Sequence, residues 1–531
     1  MYLIVRPKKG VPPQERVKEI VDCPVRPHAP PPDALARRTW LTGAAALRAR
    51  AVRRPPLPQL FKDLRANKPA QLSKLVIAPG DLLLPGLGLD PAMAEEIRAN
   101  ASVVLHCAAT VNFNERLKLA LQLNVLSVQQ LLAFARSFAN LAAFVHVSTA
   151  FSNCDRLCIQ ETVYDPVTDP KALMAAVFAM DDATADRITP GLVGARPNTY
   201  TFTKSLAEAI VREDGKGLPV AIMRPSIIGA AWGGSVPGWQ DNLNGPGGLY
   251  IAAAHGVLRV MKGDPWAISD IVPVDFCANI ILAIGWLLGT TPVTELPAEL
   301  PVFHCTCGST NPISWGKQFE YCFQALEHHP LAKDRQPFIP ASFNFQMNRT
   351  RLAVDTFIKH TIPALIVDAG LVLSGQKAIM RRLYAKLSNA TSAYEFFTSH
   401  SWWWEYNNAQ ALAALMTPED RETYCFDMTK IDWPRYLDNY WAYTMTFIKP
   451  DGPEKKAKDA IRARNMKIVL VSIVVAIVAV VLMVVLNPFD LPSAVAADAA
   501  GAAPVVATAG SNSTAVASRS IADFLTALLS W

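Results

Sequence analysis

Tyr200 and Lys204 stand four residues apart in the run Pro197-Asn198-Thr199-Tyr200-Thr201-Phe202-Thr203-Lys204. On a helix, residues i and i+4 lie one above the other on the same face, so this spacing sets a phenol beside an ammonium. The ammonium favours the phenolate, which lets the tyrosine act as a proton donor nearer neutral pH than a free phenol would. The spacing alone also describes a surface helix with a partly buried tyrosine. Two further hydroxyls, Ser148 and Thr149, follow the β-rich run Ala143-Phe144-Val145-His146-Val147. Open α/β sheets place their ligands at the carboxyl ends of such strands.

Positioning these groups requires strands and helices in alternation. Tyr2–Val5 reads as a strand that runs into Arg6, Pro7, Lys8, Lys9 and Gly10. In dinucleotide folds an arginine at this point accommodates a ribose 2′-phosphate, where an acid prefers a free hydroxyl. Arg6 with Lys8 or Lys9 therefore favours NADPH over NADH. Leu75–Ala78 reads as a second strand, followed by Gly80, Asp81 and Leu82. Ser102–Leu105 is a third, and the small residues Ala108 and Ala109 after it would let a cofactor lie against the backbone. An apolar helical stretch, about 116–138, is interrupted by Asn124. After the Tyr200 helix, Pro219–Met223 is another strand, leading into Arg224-Pro225-Ser226-Ile227. The alternation predicts a doubly wound, mostly parallel α/β sheet.

Composition sets the outer bounds. The 531 residues, 51% of them hydrophobic, suffice for two domains with sizeable cores. A net charge of +6 over this length gives no basis for nucleic-acid binding. The nine cysteines are scattered and match no zinc spacing, so they read as buried thiols in a reducing compartment, and no metal site is expected. The opening residues lack the pattern of a secretory signal.

The strand-end hydroxyls, Tyr-x-x-x-Lys and Arg-Pro together resemble the extended short-chain dehydrogenase/reductases. A narrower set of motifs is similar to the fatty acyl-CoA reductases. It comprises Val5–Gly10, His146–Ala150, Gly238–Asn242, Gly245-Pro246 and Asp270–Asp275, then Gly308–Trp315 and Ile431–Trp433 in the C-terminal part. The resemblance covers about residues 1–450. It implies an NADPH-binding Rossmann-type reductase domain over 1–291 and a helical C-terminal domain over 302–450, joined across the proline-rich Pro292–Pro301.

The resemblance further implies reduction of a long-chain fatty acyl-CoA to a primary alcohol through a hemithioacetal and an aldehyde. Tyr200 would protonate the oxyanion, Ser148 or Thr149 would hold it, and Lys204 would bind the nicotinamide ribose and lower the tyrosine pKa. Pro225, Ser226 and Ile227 would flank the nicotinamide. Asp81, Leu82, Ala108, Ala109 and Asn124 would line the rest of the cofactor site. The family's Gly-rich phosphate turn, G-x-x-G-x-x-G, has no counterpart in the chain. The first strand, turn and helix are expected to be missing, roughly thirty to forty residues for one βα unit. The alternative reading is a non-catalytic, membrane-anchored acyl-CoA-binding homologue without a competent NADPH site.

The C-terminal part is aromatic-rich, with Phe396, Phe397 and Trp402–Trp404 reading as a core cluster or, alternatively, an acyl tunnel. Ile362–Leu373 is apolar but too short to span a bilayer, and would dip into the interface or pack in a core. Ile468–Leu486 is an uncharged apolar run long enough to cross about 30 Å of hydrocarbon. Lys455, Lys456, Lys458, Arg462, Arg464 and Lys467, in a basic linker over 451–467, precede it, so the catalytic part is expected in the cytosol and the Ala-, Val- and Ser-rich tail, 487–531, in the lumen. The resemblance implies a peroxisomal or endoplasmic-reticulum membrane.

Overall fold

The computed structural model describes residues 1–6, 11–21, 60–331, 341–373, 375 and 377–445. Lys8, Lys9, the basic linker, the Ile468–Leu486 run and the tail lie outside them. The described residues belong to one compact unit, Met1–Lys467.

Six strands frame the molecule: β1 (Tyr2–Val5), β2 (Val76–Pro79), β3 (Val103–His106), β4 (Ala143–Val147), β5 (Val220–Pro225) and β6 (Val302–Cys305). Four of them form a parallel sheet in the order β6-β5-β4-β3, while β1 and β2 pair separately, also in parallel. The helices that matter for the site are α1 (Leu117–Ala135), α2 (Thr199–Asp214) and α3 (Val274–Thr290). Beyond the sheet lie α4 (Arg349–Leu373) and α5 (Met380–Thr398).

The central strands read as apolar runs because both faces of the sheet are covered. Alternate residues serve opposite cores. Phe144, Val220 and Ile222 pack with Leu121, Val125 and Phe202 from α1 and α2. Ala143, Val145, Ala221 and Met223 pack on the other face with Phe276, Ile280 and Ile284 from α3. This is a Rossmann-like α/β arrangement with parallel sheets. Tyr2, Ile4 and Ala78 of the small sheet join the same core as α1 and α2.

Among the described residues, no strand pairs with the outer edge of β3. Val103 and Leu105, which an interior strand would bury, are 48% and 41% exposed. The strand after the proline-rich stretch, β6, returns to the main sheet beside β5. The aromatic cluster is a core: Phe151, Phe397, Trp402 and Trp404 are buried together. The indoles of Trp402 and Trp404 donate to the carbonyls of Cys154 and Ala150 at 3.0 and 3.1 Å. Phe396 stands at its margin.

Candidate active site

The helix α2 begins where it does because Asn198 caps it, its side chain accepting from the Thr201 N–H at 2.9 Å. That start fixes which residues face the sheet. Tyr200, Lys204 and Glu208 follow at four-residue intervals and share one face. Lys204 is buried, and its Nζ donates to the Val147 carbonyl at the end of β4 at 2.8 Å. Thr149 and Tyr200 are neighbours, and the Thr149 hydroxyl also accepts from the Phe151 N–H at 3.3 Å.

Ser148 points elsewhere. Its hydroxyl donates to Glu208 Oε1 at 2.5 Å, and Ser152 donates to the same oxygen at 3.0 Å. Glu208 is also held by Arg224, whose Nε and terminal nitrogen donate at 2.9 and 2.7 Å. Arg224 is fully buried and spends its other donors on the carbonyls of Gln160 and Thr162 and on His304 Nε2. Of the two strand-end hydroxyls, the geometry therefore turns Thr149 toward the phenol and Ser148 into a buried ion-pair network.

Burial governs the proton affinities here. It pushes the Tyr200 phenol up to about 12, with the Thr149 hydroxyl acting in the opposite direction. It also pulls Lys204 down to about 8, against the Glu208 carboxylate and the Cys107 thiol, which favour the ammonium. For the phenol, desolvation of the phenolate is the larger influence and the Thr149 hydroxyl the smaller. Beneath Lys204, His106 and His146 share a hydrogen bond of 2.9 Å between their Nδ1 atoms. Burial brings His106 down to about 3 and holds His146 well below the ordinary range, so both stay neutral.

Asn124 sits in a π-helical turn, Gln122–Leu126, that breaks the regular ladder of α1. Its side chain accepts from the Thr110 N–H and donates to Thr203, each at 2.9 Å. It thereby ties the loop carrying Ala108 and Ala109 to α2. Pro225 ends β5, and Ser226 and Ile227 follow it, their N–H groups donating to the carbonyls of Cys305 and Asp270 at 3.0 and 3.1 Å. A second group lies at the carboxyl ends of β1 and β2. Arg6 is exposed there, and Asp81 closes its own turn by accepting from the Leu83 N–H at 3.0 Å. Leu82 packs against the core beneath it.

A cavity of about 560 Å³ opens beside the start of α2, lined by Phe113, Asn198, Lys262, Asn389, Phe396 and His400 among others. Phe113 connects it to the triad, its ring 5.7 Å from that of Tyr200 and 5.5 Å from that of Phe397. Sequence reasoning missed Phe113 and Glu208. For Glu208 a signal existed, since it extends the spacing to Tyr-x-x-x-Lys-x-x-x-Glu on one helical face.

Thr149 and Tyr200 can hold one carbonyl oxygen between two hydroxyls. Lys204 stands a turn further along the helix, with one of its three donors on Val147. That set suits a carbonyl reduced by hydride. Curated relatives are named as reductases. Residues 1–281 and 359–448 match two family models, each described as male sterility protein. Fatty acyl-CoA reductase 1 of Rattus norvegicus is 38% identical over 479 residues, 90% of this chain and 85% of that one. Fatty acyl-CoA reductase 2 of Bos taurus is 35% identical over 440 residues, 83% of this chain and 77% of that one. Among solved structures, UDP-glucuronic acid 4-epimerase from Bacillus cereus aligns at 12% identity with a TM-score of 0.43, covering 74% of this chain and 84% of that one. With a matched segment spanning more than half its length and relatives this similar over most of it, the chain belongs to the fatty acyl-CoA reductase family.

Proposed function

We propose that the chain reduces a long-chain fatty acyl-CoA to a primary alcohol, releases CoA, and uses NADPH as its reductant. The observation that carries this is the meeting of Thr149, Tyr200 and Lys204 at the end of β4, beside a cavity with an aromatic wall. The donor set suits the nicotinamide ribose, since the Lys204 ammonium keeps N–H groups beyond the one given to Val147. Arg6 beside the end of β2 supports a 2′-phosphate, and so NADPH. A G-x-x-G-x-x-G turn for the pyrophosphate is not present in this sequence.

Two NADPH molecules, bound one after the other, would each supply one hydride. The protein's part begins with Thr149, which donates to the thioester oxygen and holds it as charge develops. Tyr200 then gives its proton to that oxygen, and Lys204 opposes the negative charge left on the phenol. Collapse of the hemithioacetal expels CoA as a thiol and leaves an aldehyde. With Tyr200 reprotonated from solvent, the same three side chains would serve the second reduction. Ser226 and Ile227, anchored through their N–H groups, would form the wall behind the nicotinamide.

The reading includes a reductase domain over 1–291, a C-terminal domain over 302–450 and a single membrane anchor at 468–486 facing its catalytic part to the cytosol, on the peroxisome or endoplasmic reticulum. The basic residues before the anchor support that orientation. Glycan addition at Asn512 but not at Asn348 or Asn389 would support it in an endoplasmic-reticulum membrane.

The full chain in detergent, given acyl-CoA and NADPH, tests the activity. Consumption of two NADPH for each thiol released, with alcohol as product, is the expected result. Tight acyl-CoA binding with no NADPH oxidation would favour the non-catalytic reading instead.

A further inference from the structure

The helix α4 is built inside out. Along it Val354, Phe357, Ile358, Leu365, Val372 and Leu373 are exposed, from 38% for Ile358 to 76% for Leu373. On both sides of and within the π-helical turn Phe357–Thr361 these residues are exposed together with Thr361 and Ala369, with no charged residue among them. The opposite face, turned to the protein, buries His360, Ala364, Asp368 and Leu371. A helix against water shows the reverse pattern, apolar in and polar out. Only 28% of the apolar window of α4 is buried, against 56% for α1, which serves as a core helix.

The stripe is held rigidly. Asp368 leaves α4 to cap α5, accepting from the N–H groups of Ile379, Met380 and Arg381 at 2.9, 2.8 and 3.0 Å. The start of α5 extends the apolar surface with Ile379 and Leu383, 57% and 42% exposed. Around this surface positive charge predominates. Residues 349–386 carry seven Lys and Arg against Asp355 and Asp368 alone. Asp355 is paired with Lys359 at 3.3 Å, and Asp368 is consumed by the cap.

We propose that α4 and the start of α5 form an in-plane docking surface for an anionic phospholipid bilayer, separate from the anchor proposed at 468–486. An exposed apolar stripe flanked by uncompensated Lys and Arg is the pattern of a helix lying in the headgroup region. A second copy of this chain would bring the same positive charge to the contact and be repelled. The buried His360 and Asp368 face argues against α4 crossing the bilayer. From this surface α5 runs to the reductase cavity, which it lines with Asn389, Ser392 and Phe396, about 13 to 24 Å along the helix from Met380. An acyl chain drawn from the bilayer would thus reach the Tyr200 side along one helix.

The test uses the full chain reconstituted in vesicles, with an environment-sensitive fluorescent residue in place of Phe357, Leu365 or Val372, and at Glu320 as a control. In vesicles containing phosphatidylserine, bromine on the lipid chains should quench the three stripe positions and spare the control, while aqueous iodide should do the opposite. The pair Arg381→Glu and Arg382→Glu should return the stripe to iodide with unchanged circular dichroism. Iodide quenching of the stripe equal to that of the control would overturn the proposal. So would a stripe shielded from iodide yet untouched by brominated chains, the signature of a protein partner or a second copy. Quenching that is the same in purely zwitterionic vesicles would overturn the anionic preference. The readout is local to α4, so it stands or falls independently of the C-terminal anchor.

Discussion

The Ser148 hydroxyl donates to Glu208 Oε1 at 2.5 Å, one helical turn beyond Lys204 on the same face of α2. Through this bond the residue next to Thr149 is fixed to the helix that carries Tyr200. Two neighbouring hydroxyls that look interchangeable in the chain therefore differ in environment. Thr149→Ala should lower kcat by about 10²–10³, the usual cost of one oxyanion donor, and cost about 0.5–2 kcal/mol of stability through the lost cap on the Phe151 N–H. Ser148→Ala should instead destabilise by about 1–3 kcal/mol, because it removes a donor from a buried carboxylate. Steady-state kinetics beside thermal unfolding separates the two, and the reverse pattern would reassign the catalytic hydroxyl.

Glu208 and Arg224 form an ion pair at 2.7 Å with both side chains essentially inaccessible to water. Glu208→Ala would leave the guanidinium buried without its charge partner, a change that costs about 3–5 kcal/mol. The Tm should fall accordingly. The double variant with Arg224→Met should recover part of the loss, and equal loss in both would show that the pair is not the cause.

Burial pulls Lys204 down to about 8, against Glu208 and Cys107, which favour its ammonium form. The neutral His106 and His146 beneath it add no charge of their own. Catalysis by the ammonium form should therefore be present below about pH 8 and be lost as the pH rises through it. Glu208→Gln removes a charge that raises the Lys204 pKa, so the alkaline limb of kcat/KM should move to lower pH. An unmoved limb would mean that Lys204 is not the group observed.

Gly238 adopts a φ of 80°, and a Cβ placed there would lie 2.2 Å from the Asn439 carbonyl oxygen. Gly229 is equally constrained, with a Cβ 2.4 Å from the hydroxyl of Tyr436, which itself donates to the Ala230 carbonyl at 2.9 Å. Both lie against the helix Trp433–Thr444. Gly238→Ala should destabilise by more than about 1 kcal/mol, since the strain of the positive φ adds to the clash. Gly234→Ala, also at positive φ but with open space around it, should cost less. Chemical denaturation of the two variants gives the comparison.

Much of the fold was legible because its signals are local. Strand runs such as Ala143–Val147 and the i, i+4 spacing of Tyr200 and Lys204 depend only on residue order and on the periods of strand and helix. The chain therefore determined by itself the alternation of strands and helices, the identity of the residues at the strand ends, and the helical face shared by phenol and ammonium. What it could not determine depends on neighbours far away in sequence. Arg224 reaches Glu208 across 16 residues and His304 across 80, and that network holds the Ser148 hydroxyl. Burial, a property of the folded whole, raises the phenol and lowers the ammonium, and residue spacing does not report it. The tertiary structure alone also shows α4 turning its apolar face outward. Periodicity can locate such a face but not say whether it meets the core or the surroundings.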